Sequence, residues 1–570
     1  MDTYLAGIKA FFKGDIDTSD EALTKHSHDA SLFEVRPEAV LYPKNKEDIS
    51  LLVKYVANEK KNNPNLSITP RSAGTCMAGG SLTNSLSLDV MRYLNTISEI
   101  KTVPDYTMMP HYPHARPVTV SGHARVQPGV FYHDFEPATL KQELLLPCFT
   151  ASKSINALGG MIGNNSAGEL TLKYGKTEDY VASLEMVFSD GSIEHIGPMK
   201  KSEALQRGEK SDFVGSVYKN ILNLIEKNKA LIESKRPQVS KNSAGYNIWN
   251  VIRKDETTGD EVFDLSQLVV GSQGTLGIVT EADIRLVKTK KYSSMLVLFL
   301  KDLEQLPNIV LKSLAVGPET IEAYDDKTIL LAVKFWFGFI KKLGLLRAMK
   351  LFFEFIPEFR MMIGGMPKLV LLVECAGDDK EEVWNRVTTL KRDLADIPKL
   401  STKTVRNREG AEKYWTIRRD SFALLREHFH GKRTAPFIDD VIVPPQKLPE
   451  FIPAIREILE RYKLSYNIHG HAANGNFHLI PLIDTDARLS EKMILDVSEE
   501  VYSLVIKLGG SITAEHNDGI IRTPYLTDMF GKDMTDLFAE IKRIFDPQNI
   551  FNPGKKVGLT KADIGKYLIH

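Results

Sequence analysis

The chain has 570 residues, 73 Lys+Arg against 73 Asp+Glu, 43% hydrophobic residues and three cysteines. Such a length exceeds what one hydrophobic core organises, so two or three domains are expected. The charge balance gives no overall reason to expect nucleic acid or an anionic membrane as partner. Cys76, Cys148 and Cys375 are scattered and match no disulfide framework, zinc ribbon or iron–sulfur ligand run, which favours a reducing, cytoplasmic setting.

The opening MDTYLAGIKAFFKGDID lacks the basic segment, sustained apolar run and cleavage site of a secretory signal. Leu32 to Tyr42 alternates and predicts a strand. After Pro43, Ile49, Leu52, Val53 and Val56 recur at helical spacing. The stretch from Leu66 to Val90 reads as a short strand, a loop of Gly, Ala, Ser and Thr, and a second strand. Small residues let the main chain approach a ligand, and successive N–H groups in such a loop suit a diphosphate, although many loops of this kind are only turns.

A strand-like VTVSGHARVQPGV and a helix near Asp134 to Leu144 lead into a second such loop, Ile155 to Gly175. A third, Val269 to Leu286, places glycines before an alternating strand. Three glycine-rich segments between strands predict one large ligand wrapped by loops of an α+β domain. Neither G-x-x-x-x-G-K-[ST] nor a G-x-G-x-x-G between strand and helix occurs, which argues against a P-loop enzyme and a simple dinucleotide fold.

From Tyr292 onward strands and helices alternate: SSMLVLFL, a helix near Leu303 to Val316, TIEAYDD, KLVLLVECAG and a helix near Lys380 to Leu394. The most apolar region, Leu331 to Phe355, is broken by five basic residues and falls short of the ~20 apolar residues of a membrane span. Overlapping it, Leu345 to Ile356 puts Arg347, Lys350 and Glu354 opposite an apolar stripe, which fits core packing or a peripheral contact with a membrane or an electron-accepting partner. Glu412 to Phe429 predicts a helix whose Trp415, Arg418, Phe422, Leu425 and Phe429 share a face. Arg418 therefore lies on the apolar side, either in a core ion pair or clamping a substrate carboxylate.

IHGHAANGNFH places His471 and His478 on either side of a Gly-Asn turn, and GGSITAEHNDGIIR adds Glu515 and His516. Two imidazoles and a carboxylate are the usual protein complement of a Zn²⁺ or Mn²⁺ site that keeps positions open. A single histidine is ordinarily a satisfied core or loop residue, so the spacing alone leaves both readings standing.

PRSAGTCMAGG, GGMIGNNSAG, GSQGTLGIVT, GHAANGNFH, AEHNDG and FDPQNIFNPGK, in this order over roughly residues 35–556, resemble the FAD-linked D-2-hydroxy-acid dehydrogenases of the vanillyl-alcohol oxidase and p-cresol methylhydroxylase superfamily. That resemblance implies a two-subdomain α+β FAD-binding fold over 1–290, an α+β substrate-cap domain over 291–510, and a segment 511–570 returning to the flavin. FAD would be held by Arg71, Ser72, Ala73, Gly74 and Thr75, by Gly159, Gly160, Asn164, Ser166 and Gly168, and by Ile278, Val279 and Asn552. Some relatives attach FAD through a histidine of the first loop; Thr75 and Cys76 stand there, so noncovalent FAD is expected.

The resemblance further implies His471, His478 and Glu515 as metal ligands, His516 as general base, and Arg418, placed after W-x-x, as carboxylate clamp. Ile480, and Ile438 or Asp439 in PFIDDVIVP, stand where D-2-hydroxyglutarate enzymes carry a polar residue and a lysine, which favours a shorter acid, D-lactate first. A separate iron–sulfur protein or quinone would accept the electrons, and the resemblance admits a homodimer and peripheral contact at the inner face of the membrane. Two other readings stand beside this one: an alkyl-dihydroxyacetonephosphate-synthase type of flavoenzyme, against which Glu515 speaks, and a flavin-binding scaffold without catalysis.

Overall fold

A computed structural model describes residues 3–112, 115–255, 258–326, 365–428, 432–484 and 491–569, without the side chains of 419–428, 432–433 and 484. The stretches Leu331 to Phe355 and Leu345 to Ile356 lie outside the described residues. Among the described residues no helix is long and apolar enough to cross a membrane.

The fold is α+β. In the first sheet Ala39–Tyr42, Leu86–Asp89 and Ile68–Arg71 run parallel, with Asp15–Asp17 antiparallel on the edge. The crossover helix Lys46–Glu59 starts at Asn45, whose side chain accepts from the Asp48 N–H. Its Ile49, Leu52, Val53 and Val56 are fully buried against Leu41, Ile68 and Leu86. Each such side chain contributes about 1.5–3 kcal/mol relative to exposure, so the predicted stripe fastens this helix to the sheet. The strand expected from Leu32 is shorter, because only Ala39–Tyr42 finds a partner of the parallel set.

A second, antiparallel sheet is ordered Ile97–Met108, Val118–Val126, Ile278–Lys288, Val181–Val187, Ile193–Ile196. The helix expected at Asp134 to Leu144 spans Tyr132–Leu140, because Leu144–Leu145 is drawn off to pair with Val287 and Lys288. The second glycine-rich loop contains two short helices, Leu158–Asn164 and Thr171–Tyr174. A small three-stranded sheet is formed by Pro198–Lys200, Glu261–Asp264 and Ile252–Lys254.

The largest sheet follows the order Leu400–Val405, Tyr292–Leu300, Leu369–Gly377, Thr320–Asp325, Ser465–His471, Asn476–Asp484, Lys432–Thr434. The helices Leu306–Ala315, Lys380–Asp393 and Arg408–His428 belong to this part of the chain, each near its predicted place. The C-terminal segment returns to the first sheet, where the Ile68 N–H donates to Ile550 O at 2.7 Å and the Asn552 N–H to Ile68 O at 2.9 Å.

Candidate active site

A cleft of about 940 Å³ joins the three glycine-rich loops to the histidine segments. Arg71, Ser72, Ala73, Gly74 and Thr75, together with Gly159, Gly160, Asn164, Ser166, Gly168 and Val279, line one end of it. The loops fit closely against their supports: a Cβ on Gly168 would stand 1.8 Å from Phe149 O. Asn165, in the left-handed region at φ 52°, ends the helix Leu158–Asn164, and its side chain accepts from the Glu178 N–H at 3.0 Å. The Arg71 guanidinium is fixed by the carbonyls of His26 and His28, at 3.3 and 2.6 Å. A groove walled by small residues and backbone, with the fixed Arg71 cation, fits an extended dinucleotide diphosphate.

Two residues expected to contact the cofactor, Ile278 and Asn552, do not line this cleft. Ile278 packs into the core with Val187 and Leu86, because neighbours along a strand face opposite sides and it is Val279 that meets the cleft. Asn552 is buried outside the cleft wall and donates to Gly80 O at 2.8 Å and Gln273 O at 2.7 Å, so it pins the first and third loops to each other.

Glu322, Arg418, His469, His471, His478, Glu515 and His516 line the other end. The histidines come together through strand geometry. Ser465–His471 and Asn476–Asp484 form a hairpin in which His469 faces His478, and His471 shares a face with His469 two residues away. The ring centroids are 5.2 Å apart for His469 and His478, and 5.6 Å for His471 and His478. The turn needs Gly475, at φ +74°, whose Cβ would stand 1.9 Å from Val443 O.

Glu515 completes the group, with Oε1 3.2 Å from His471 Nε2 and Oε2 4.0 Å from His478 Nε2. One ligand atom from each of the three residues lies within 4.8 Å of the others. Edges of 3–4 Å are what pairs of ~2.0–2.2 Å metal–ligand bonds produce. The outward nitrogens are also engaged: His471 Nδ1 lies 2.5 Å from Glu322 Oε1 and His478 Nδ1 3.1 Å from Asp439 Oδ1. A carboxylate behind each imidazole directs Nε2 toward the shared centre, the usual support of a histidine-ligated metal, so these residues fit a divalent cation.

Charge density is high. Burial works against ionising Glu322, but His471 and Arg418 outweigh it and bring its pKa down to about 2. Burial likewise opposes the Glu515 charge, and Lys241 and His471 overcome it, leaving Glu515 well below the usual carboxylate range. His516 Nδ1 lies 2.6 Å from Asp439 Oδ2 and its ring stacks on His478 at 5.0 Å. Burial would lower its pKa, yet Asp439 and Asp440 raise it to about 9. These two buried acids therefore favour the protonated form of His516.

Arg418 is buried and lines the cleft, and both its Nε (3.1 Å) and Nη2 (3.0 Å) rest on Glu322 Oε2. The core ion pair and the cleft position occur together, and this edge of the guanidinium is taken by Glu322. Trp415, one turn earlier, is buried as predicted, with its indole N–H on Glu374 at 3.0 Å.

Sequence reasoning missed the supporting shell. Asp440, at φ 68°, accepts at one oxygen from the backbone N–H of Ala514 (3.0 Å), Glu515 (2.8 Å) and His516 (2.7 Å) and from the Thr513 hydroxyl (2.7 Å). Two adjacent acids inside the apolar PFIDDVIVP run were a readable signal of buried, functional carboxylates. Glu322 and Lys241 carry no such mark, since nothing in their spacing links them to residues 471–516.

The groove formed by the glycine-rich loops opens into a buried His/Glu cluster. Residues 37–197 match the FAD binding domain, and residues 289–556 match the C-terminal domain of FAD linked oxidases. The chain belongs to this FAD-linked oxidase family. The D-2-hydroxyglutarate dehydrogenase of Pantoea ananatis is 28% identical over 97% of this chain and 51% of its own length. Glycolate oxidase subunit GlcD of Bacillus subtilis is 27% identical, covering 95% of this chain and 93% of its own. D-lactate dehydrogenase of Archaeoglobus fulgidus is 25% identical over 91% of each. This chain spans about half the length of the D-2-hydroxyglutarate relatives it matches. A solved alkyldihydroxyacetonephosphate synthase, 16% identical, covers 97% of this chain and 84% of its own with TM-score 0.62 and shares the fold.

Proposed function

We propose that the protein binds FAD noncovalently and oxidises a 2-hydroxy acid to the 2-oxo acid. The observation that carries this reading is the single cleft onto which both the glycine-rich cradle and the His471, His478, Glu515 and His516 group open. FAD, when bound, supplies the acceptor for the hydride leaving Cα. The protein's own work is to orient Cα, hold the carboxylate and receive the hydroxyl proton.

His471, His478 and Glu515 would hold a divalent metal, Zn²⁺ or Mn²⁺, whose charge favours the deprotonated hydroxyl. His516 receives the proton at Nε2, with Asp439 holding Nδ1. A cation in the neighbouring triad would counter the two acids that keep His516 protonated. Arg418 contributes positive charge to the wall where the substrate carboxylate binds; an Arg418→Lys enzyme with unchanged KM and kcat removes that role.

D-lactate is the favoured substrate, because Ile480 lines the cleft, Ile438 is buried in the core, and Asp439 is committed to two histidines. No cation stands at those positions to receive a second carboxylate. The relatives named for D-2-hydroxyglutarate support that diacid as a second reading, and glycolate follows from the Bacillus relative. Electrons would pass to a separate iron–sulfur protein or a quinone.

The test is anaerobic bleaching of the flavin by D-lactate, glycolate and D-2-hydroxyglutarate. Reduction fastest with D-lactate is expected. A flavin that none of them reduces overturns the dehydrogenase reading and returns the scaffold or alkyl-transfer alternatives.

A further inference from the structure

Each of the two histidines at the candidate metal site is held from outside by a carboxylate, and Glu515 is held by a buried cation. The ammonium of Lys241 donates to Glu515 Oε1. The Lys241 side chain is 0% exposed and does not belong to the cleft wall, so it reaches the carboxylate from the protein side. Glu322 and Asp439 thus stand behind His471 and His478, while Lys241 holds Glu515 at the oxygen that faces His471.

The backbone that carries Lys241 is tied to the Glu515 segment independently of this ammonium. The Ser243 N–H donates to Thr513 O at 3.1 Å and its hydroxyl to Ala514 O at 2.9 Å. The Ser511 hydroxyl donates to the Asn242 side chain at 2.7 Å, and the Gly245 N–H to Asp518 Oδ2 at 2.9 Å. Lys241 is therefore delivered to Glu515 by a prepared loop, and its removal leaves that loop attached.

A fully buried ammonium beside a candidate divalent-cation site is an unusual expense of charge. As a mere neighbour it would repel the metal. As an anchor it fixes the rotation of a carboxylate that would otherwise swing between the two imidazoles, and such outer contacts govern metal affinity. We propose that Lys241 is the positioning residue for Glu515, holding one oxygen so that the carboxylate meets the cation at a set angle between His471 and His478. This rests on the metal reading above.

The two roles predict opposite signs. The FAD-loaded full chain, stripped with a chelator, is titrated with Mn²⁺ alone and followed by electron paramagnetic resonance and calorimetry. Lys241→Met is expected to weaken Mn²⁺ about 10- to 100-fold with FAD content retained, and Lys241→Arg to recover part of the loss. Should the Met variant fail to hold FAD, the Arg variant decides: an altered Mn²⁺ spectrum with affinity between wild type and none supports the assignment. Met binding as tight as or tighter than wild type overturns it, as does an Arg variant as weak as Met. A wild-type protein that takes up neither Mn²⁺ nor Zn²⁺ overturns the metal reading itself.

Discussion

Glu322 joins Arg418 to His471: one carboxylate oxygen lies 3.0 Å from Arg418 Nη2, and the other 2.5 Å from His471 Nδ1. The strand Thr320–Asp325 thereby couples an arginine of the cleft wall to a candidate metal ligand. Glu322→Gln keeps the shape and removes the charge both cations face. Leaving buried charges uncompensated costs about 3–5 kcal/mol, so urea unfolding should show a loss of that order. A midpoint unchanged from wild type would mean that Glu322 is not the link it looks to be.

His471 and His516 are expected to separate binding from chemistry. His471→Ala should lose metal and activity yet retain FAD, because its contacts are with Glu322 and Glu515 and not with the glycine-rich loops. His516→Ala should keep both metal and flavin while flavin reduction slows about 10²–10⁴-fold, the usual contribution of a positioned base. Metal analysis, flavin absorbance and single-turnover bleaching read the three properties separately. Full metal content in His471→Ala would make the histidine pair structural.

Lys176 gives a pH dependence of defined sign. It is buried, with its ammonium on Asn242 O (2.6 Å), the Ser243 hydroxyl (2.8 Å) and Ala514 O (3.0 Å). Burial lowers its pKa from 10.5 to about 8; Glu178, Glu515 and Asp440 pull it upward, and Lys241 adds to the lowering. Between about pH 8 and 10.5 the unfolded chain holds this proton and the folded chain has shed it, so Lys176 contributes stability that grows with pH across that window. The stability of wild type relative to Lys176→Met should therefore rise from pH 8 upward, by on the order of 3 kcal/mol at the limit. Curves that stay parallel would contradict this.

The glycine-rich loops and the His471, His478, Glu515 and His516 set were legible because local composition marks them: small residues flanked by strands, and imidazoles around a Gly-Asn turn. The alternating strand at 278–288 was legible too, but which of Ile278 and Val279 faces the ligand depends on a register that only sheet pairing fixes. Arg418 was correctly placed on the apolar face of its helix, while its partner Glu322 lies on a strand 96 residues earlier and carries no local mark. The protonation of His516 was not legible for the same reason. It is set by Asp439 and Asp440 across the fold, not by its neighbours in sequence.

Asn552, expected beside the cofactor, joins two of the loops that would surround it, so its effect on FAD should be exerted through those loops. Its amide donates to Gly80 O and Gln273 O, and its carbonyl oxygen accepts from the Thr69 hydroxyl at 3.2 Å. Asn552→Ala leaves two buried carbonyls without their donor, at about 1–3 kcal/mol each. That cost falls on the loop arrangement the flavin needs, so FAD affinity should drop at least tenfold while Mn²⁺ uptake at the histidine group stays near wild type. Fluorescence titration of the apoprotein with FAD, set beside Mn²⁺ titration of the same sample, measures both. Equal weakening of the two ligands would show that Asn552 supports the whole cleft, and unchanged FAD affinity would show that the first and third loops hold their places without it.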